Sequence, residues 1–184
     1  MTKMKKLISA IVLGTIFQTC GYGQQYLTRS GFVGFYSRTP LEDIKAENHQ
    51  AYSVIDIARK NLAFTLLLKG FLFPKELMQV HFNENYMESD KYPKASLSGT
   101  FTGEVLLTKD DLYKINVSGD LSMHGVTRKI QCPATLEVRQ GKLIGRCQFS
   151  IKPEDFNVKI PSIVRDKIEQ EMKVLVEVNF NTQN

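Results

Sequence analysis

Tryptophan is absent from the chain, and histidine is scarce, with three residues in 184. None of the three, His49, His81 and His124, belongs to an HExxH, a His-x-His or a Cys/His set. A zinc hydrolase or structural zinc site therefore lacks its ligands. No GxSxG, phosphate-cradling glycine loop or defensible Ser/His/Asp order occurs, which removes the common hydrolase and nucleotide-binding classes. The acidic stretch 83–90, with Glu84, Glu88 and Asp90, lacks the ligand spacing and glycine of an EF-hand and reads as a solvated loop. Long apolar runs are missing as well. The stretch Leu7–Phe17 is broken by Ser9, Gly14 and Thr15 and falls short of the ~20 residues a spanning helix needs.

That stretch does fit another purpose. Lys3, Lys5 and Lys6 precede it, and the small residues around Gly21-Tyr22-Gly23 follow it, the layout of a secretory signal peptide. Residues 1–23 are expected to be removed, leaving Gln24 first and the protein periplasmic or secreted, with no stable membrane span. The alternative is lipid anchoring through Cys20, although Phe17-Gln18-Thr19 suits such a site poorly. Three of the 24 basic residues leave with the leader, so the mature balance against 19 acidic residues is +2. The high pI gives no warrant for nucleic acid as a partner. No linker, charge block or repeat divides residues 24–184, which read as one domain.

Two cysteines remain, Cys132 and Cys147, on adjacent predicted strands joined at Arg139-Gln140-Gly141. Both belong to the apolar, inward face. Direct opposition requires a turn centred between Arg139 and Gln140. A turn centred on Gln140-Gly141 would instead put Cys132 opposite Phe149. The sequence leaves a disulfide and a pair of buried thiols equally open.

What the mature chain has in quantity is period-two alternation, the mark of strands with one buried face. Ala95, Leu97, Gly99, Phe101, Gly103, Val105 and Leu107 alternate with polar residues, and so do Tyr113, Ile115, Val117, Gly119, Leu121 and Met123. Leu62–Leu68, 126–138, 142–151 and 174–180 repeat the pattern, and 26–37 and 49–57 complete eight strands. Short turns make consecutive strands antiparallel neighbours, and eight such strands most economically close into a barrel. Two short helices are expected to interrupt the meander, at Pro74–Phe82 and Ser162–Glu171, each placed to cap an open end. The fold class is thus all-β, an eight-stranded antiparallel barrel with two short helices.

A barrel of this size is filled by side chains or holds one slender ligand. Each inward glycine, Gly99, Gly103 and Gly119, reads by itself as a bulge or bend, and together they are expected to leave room. The candidate lipid-binding residues on the strands are Phe35, Phe64, Leu66, Phe101, Val105, Ile115, Val117, Leu121, Phe149 and Val176. Phe73, Leu77, Met78 and Phe82 come from the first helix and its approach, Ile163 and Ile168 from the second. His124 and Arg128, with Lys129, are candidates for orienting a headgroup. An outer-membrane barrel would also alternate, but it predicts aromatic girdles and a polar interior, and Lys114, Lys129 and Lys173 belong to the face opposite the apolar one. A hydrolase or isomerase built on His81 or His124 lacks a visible partner group.

Particular segments carry a resemblance. They are Gly31-Phe32-Val33-Gly34-Phe35-Tyr36-Ser37, then Thr39 to Ala46, Phe71-Leu72-Phe73, Leu77 to Met87, Lys91 to Ala95, Gly119 to Thr127 and Asp155-Phe156-Asn157-Val158. In this order they resemble the YceI-like family of exported bacterial proteins, over essentially the whole mature chain. The resemblance implies a lipocalin-like barrel whose elongated pore binds a polyisoprenoid or similar amphiphile. It implies no catalytic residues. The expected bound molecule is a polyisoprenoid or fatty lipid and no other cofactor; a homodimer is left open.

Overall fold

The computed structural model describes residues 25–37, 43–160 and 171–182. The expected leader, Cys20 and the second helix, with Ile163 and Ile168, lie outside the described residues. Eight strands form a closed antiparallel barrel in simple meander order. They are β1 (Gln25–Ser37), β2 (Ile44–Asp56), β3 (Asn61–Leu67), β4 (Lys94–Thr102), β5 (Asp111–Met123), β6 (Val126–Arg139), β7 (Lys142–Ile151) and β8 (Met172–Thr182). Pairing of β1 with β8 closes the ring, so no strand presents an unpaired edge.

The expected fourth strand is longer than the observed one. Pairing stops at Thr102, because Gly103 takes φ +118 and turns the chain out of the ladder. Val105 and Leu107 still pack against the core from the connection that follows. Gly103 is thus the bend expected of a glycine in a strand pattern, but Gly99 and Gly119 do not leave the expected room. Gly99 and Gly119 face each other across β4 and β5, and a Cβ on Gly99 would stand 2.2 Å from the Ser118 carbonyl oxygen. Their missing side chains admit the neighbouring backbone and leave no empty bore.

Strands β1 and β2 hide their pattern by bulging. In β1 the buried set moves from Tyr26 and Thr28 to Gly31, Val33 and Phe35; in β2 it moves from Ala46 and Asn48 to Ala51, Ser53 and Ile55. Register shifts between Thr28 and Val33 cause the change of parity, since an extra residue moves every later side chain to the other face. Asn48, fully buried, stabilises the bulge in β2. Its Oδ1 accepts from the Gln50 backbone N–H at 2.8 Å, and its Nδ2 donates to the Leu67 carbonyl at 3.0 Å.

The meander makes the two barrel ends unequal. At one end the connections are compact: 57–60, 103–110 and the two-residue turn Gln140-Gly141, where both residues have φ > 0 as a tight hairpin turn requires. Around it Tyr26, Ile55, Phe101, Val138, Leu143 and Phe180 form one buried cluster. At the other end the long connections gather, including 68–93 and the segment after β7, over a second cluster with Phe35, Leu68, Phe71, Met87 and Phe156. Outside, charged residues stand mid-strand. Arg146 bridges Glu137 (2.8 Å) and Glu177 (3.0 Å), and the two carboxylates, Glu137 first, raise its pKa. An apolar interior under a charged wall is the inverse of an outer-membrane barrel.

Gly99→Ala forces backbone apart and is expected to cost about 1–3 kcal/mol, read as a lower urea midpoint. The outward-facing Thr100→Ala beside it should stay within about 0.5 kcal/mol of wild type.

Candidate functional site

Between the two clusters the barrel is hollow. A cavity of about 430 Å³ is bordered by members of both, among them Ile55, Ile115, Val117 and Leu136 from one and Val33, Phe35, Leu66 and Val174 from the other. That volume lies within the range of small-molecule sites. The border is aliphatic and aromatic, and its few polar members are largely engaged elsewhere. Ser53 donates to the Ala63 carbonyl, and the Arg146 guanidinium holds its two glutamates.

A lid covers the long-connection end. Pro74 leads into the short helix α1 (Glu76–His81), and a π-helical turn, Phe82–Tyr86, continues it. Glu76 in the first turn suits the positive helix terminus. Met78, His81, Phe82, Tyr86 and Met87 border the cavity from this side. Four phenylalanines join lid to barrel. Phe35 of β1 lies 5.1 Å from Phe71, 5.8 Å from Phe73 and 5.5 Å from Phe82 between ring centroids. Edge and stacked contacts of this kind add to the burial they bring.

Of the residues expected to line the bore, Phe35, Phe64, Leu66, Phe73, Met78, Phe82, Ile115, Val117, Leu121, Phe149 and Val176 border the cavity. Others do not. Leu77 is on the outer side of α1 and 65% exposed, because Met78 and Phe82 take the inner face. Phe101 is buried in the compact-end cluster and Val105 packs against it, beyond the hollow. Phe71 and Met87 border the cavity without having been expected there; they lie in irregular chain, where no period reveals an inward side. Gly145 was also missed, though the alternation through Leu143 and Cys147 passes over it. A Cβ there would approach Val178 at 2.8 Å.

His124 and Arg128 do not border the cavity; they tie its lid to the barrel. His124 and Gly125 form the β5–β6 turn with φ of +51 and +74. The buried ring reaches the Phe156 carbonyl through Nδ1 at 2.9 Å and the Glu88 carboxylate through Nε2 at 3.0 Å, with the Tyr92 ring edge-on at 4.7 Å. Both partners accept, so both contacts are made together when each ring nitrogen carries a hydrogen. Arg128 Nε donates to the Asp155 carbonyl at 2.9 Å, and Lys129 is 92% exposed beside Asp120. The acidic stretch is the solvated loop expected, with Glu84, Glu88 and Asp90 exposed, and it adds one thing the sequence did not show: Glu88 holds His124, while Asp90 pairs with Lys69. His81 is exposed on the cavity border, and His49 is exposed beside Glu47. Among the described residues no group of three or more His, Cys, Asp or Glu is placed to hold a metal ion.

The geometry defines a lidded barrel with an internal apolar chamber. The family model of the YceI-like domain matches residues 33–180, and the chain belongs to that family. Solved structures share the fold. A polyisoprenoid binding domain from Saccharophagus degradans superposes with a TM-score of 0.73 at 14% identity, covering 86% of this chain and 98% of that one. BcnA of Burkholderia cenocepacia gives 0.68 at 14% identity, covering 82% and 96%. A YceI protein from Campylobacter jejuni gives 0.52 at 17%, covering 97% and 90%. No curated protein matches the chain.

His124→Ala is expected to cost about 1–3 kcal/mol by leaving the carbonyl of buried Phe156 unpaired. Hydrogen exchange in residues 82–93 should accelerate before the strands loosen. His124→Asn keeps a residue tolerant of the turn's positive φ but removes both contacts. Equal stability of His124→Asn and wild type would show that the turn matters and the clasp does not.

Proposed function

We propose that this chain is an exported, non-catalytic binding protein that holds a polyisoprenoid or other long-chain apolar lipid inside the barrel. The observation that carries the reading is the chamber itself: an apolar hollow of about 430 Å³ between two clusters of buried hydrophobic residues. Well-packed cores hold few voids larger than a water molecule, and an apolar void gains nothing from being filled with water. The name of the Saccharophagus degradans domain, polyisoprenoid binding, adds support for the ligand class. Export rests on the Lys3–Gly23 leader pattern.

Hydrocarbon burial drives the binding. At ~0.8 kcal/mol per methylene, a five-carbon isoprene unit contributes roughly 3–4 kcal/mol before ordering costs. A few units suffice for tight binding without a strong polar contact. Selectivity then follows from the width and length of the hollow. The lid supplies the route in, because the compact end is stoppered by Tyr26, Phe101, Leu143 and Phe180. No helix among the described residues is long and apolar enough to cross a membrane.

Protein purified without detergent and sprayed under native conditions should carry a lipid-sized mass that organic extraction removes. Refolded, lipid-free protein should gain thermal stability when a long-chain polyprenol is added; an unchanged melting curve overturns the reading. Ala134, half-buried on the cavity border opposite Ile115, offers the blocking test. Ala134→Phe should raise the Kd for polyprenol at least about tenfold, equivalent to ~1.4 kcal/mol, while the barrel's circular dichroism is retained.

A further inference from the structure

Two nucleophilic side chains face the chamber and take no part in the reading above. Cys132 on β6 and Cys147 on β7 are free thiols, both on the cavity border, with sulfurs 3.3 Å apart. We propose that they form a redox-active dithiol in the chamber wall, oxidised to an intrachain disulfide by a small neutral disulfide, and that a chain lying in the chamber shields them. The second half rests on the proposed lipid function; the first does not.

The register makes this pair unlike a structural bridge. Arg139 opposes Lys142 and Ala134 opposes Cys147, the pairing of a turn centred on Gln140-Gly141. The cysteines are therefore diagonal neighbours. Diagonal positions across two strands lie ~7–8 Å apart, whereas bridged cysteines have Cα atoms usually within ~4.4–6.8 Å. Closing the gap from 3.3 Å to the ~2.05 Å of a disulfide bond draws β6 and β7 together. A bridge formed this way stores strain in the wall and is more readily reduced than an unstrained one.

The surroundings select the reagent. Cys132 is paired with Val117, and Cys147 with Val176 and Ala134. Burial and its hydrogen bond to the other sulfur hold the Cys147 thiol well above the usual thiol range, while the Cys132 sulfur, accepting that bond, is lowered. Exchange can begin at either sulfur and ends in the same bridge; the first attack is taken at Cys132. Its thiolate forms a bond to one sulfur of the reagent R–S–S–R, whose S–S bond breaks and releases RS⁻. Cys147 then loses its proton to solvent and attacks the Cys132 sulfur, expelling the second RS⁻. Two thiols and one disulfide become one intrachain disulfide and two RSH, with the reagent reduced and the cysteines oxidised.

The test uses the full chain carrying Cys20→Ser, so that only the wall cysteines react. Refolded, reduced, lipid-free protein is treated with 4,4′-dithiodipyridine, a neutral aromatic disulfide. The expected product has lost two hydrogen masses and retains no aryl group, and 2-mercaptoethanol, a small neutral thiol, restores the dithiol without denaturant. Cys132→Ser and Cys147→Ser should each stop at a single aryl adduct. Two aryl adducts on the doubly reduced protein, or no reaction while it stays folded, overturn the dithiol. A bridge that 2-mercaptoethanol reverses only in denaturant overturns the strain in the bridge. Protein preloaded with polyprenol, with loading checked by native mass spectrometry, should bridge at least about tenfold more slowly. An equal rate in loaded protein overturns the shielding alone, and failure to load counts against the lipid function and leaves the dithiol result standing.

Discussion

Closure of the barrel through β1 and β8 is the constraint on which the rest depends. A closed sheet satisfies its own backbone hydrogen bonds all round, so the strands need no second layer to cover an edge. Their apolar faces then have only the interior to share. Eight strands enclose just enough width for side chains from opposite walls to meet. Whether they meet depends on local detail. At the compact end Phe101, Leu143 and Phe180 fill the space. Farther along, Ala134 and the two cysteines are too small to do so, and the hollow opens there.

Strand order also decides where the machinery goes. A meander returns to the same end after every second strand, so alternate connections collect there. Here the long ones, 68–93 and the segment after β7, share an end and meet over one opening. Their attachment is polar and local, through His124, Glu88 and the Phe156 carbonyl. Their underside is aromatic, through Phe71, Phe73 and Phe82 against Phe35. Among the described residues the 68–93 connection shares backbone hydrogen bonds with a barrel strand only between Leu72 and Glu47, which puts it at the low-stability end of the molecule.

Most of the barrel was legible from residues alone, because β5 to β8 obey an uninterrupted period of two. The bulges in β1 and β2 were not, since a parity change from Thr28 to Gly31 looks in sequence like a loss of pattern. Glycine was read as spare room, while Gly99 and Gly119 are sites of backbone contact; only the paired register distinguishes the two. The register of β6 with β7 was one of two that the sequence left open, and Gln140 and Gly141, both with positive φ, decide it. His124 was noticed for its chemistry but placed at a headgroup. Its partners, Glu88 and Phe156, are 36 and 32 residues away, a separation no local pattern spans. The chamber's lining from α1 was half visible: a face with Met78 and Phe82 was expected, but not that Leu77 would turn away from it.

The first and last strands give the molecule a direction. Tyr26 pairs with Thr182, so the beginning of β1 and the end of β8 emerge side by side at the stoppered pole. Anything joined to either terminus, whether a tether, a neighbouring domain or an engineered fusion, attaches behind the barrel and leaves the opening pointing away from it. A tethered copy would face outward with its port unobstructed, like a cup held by its base.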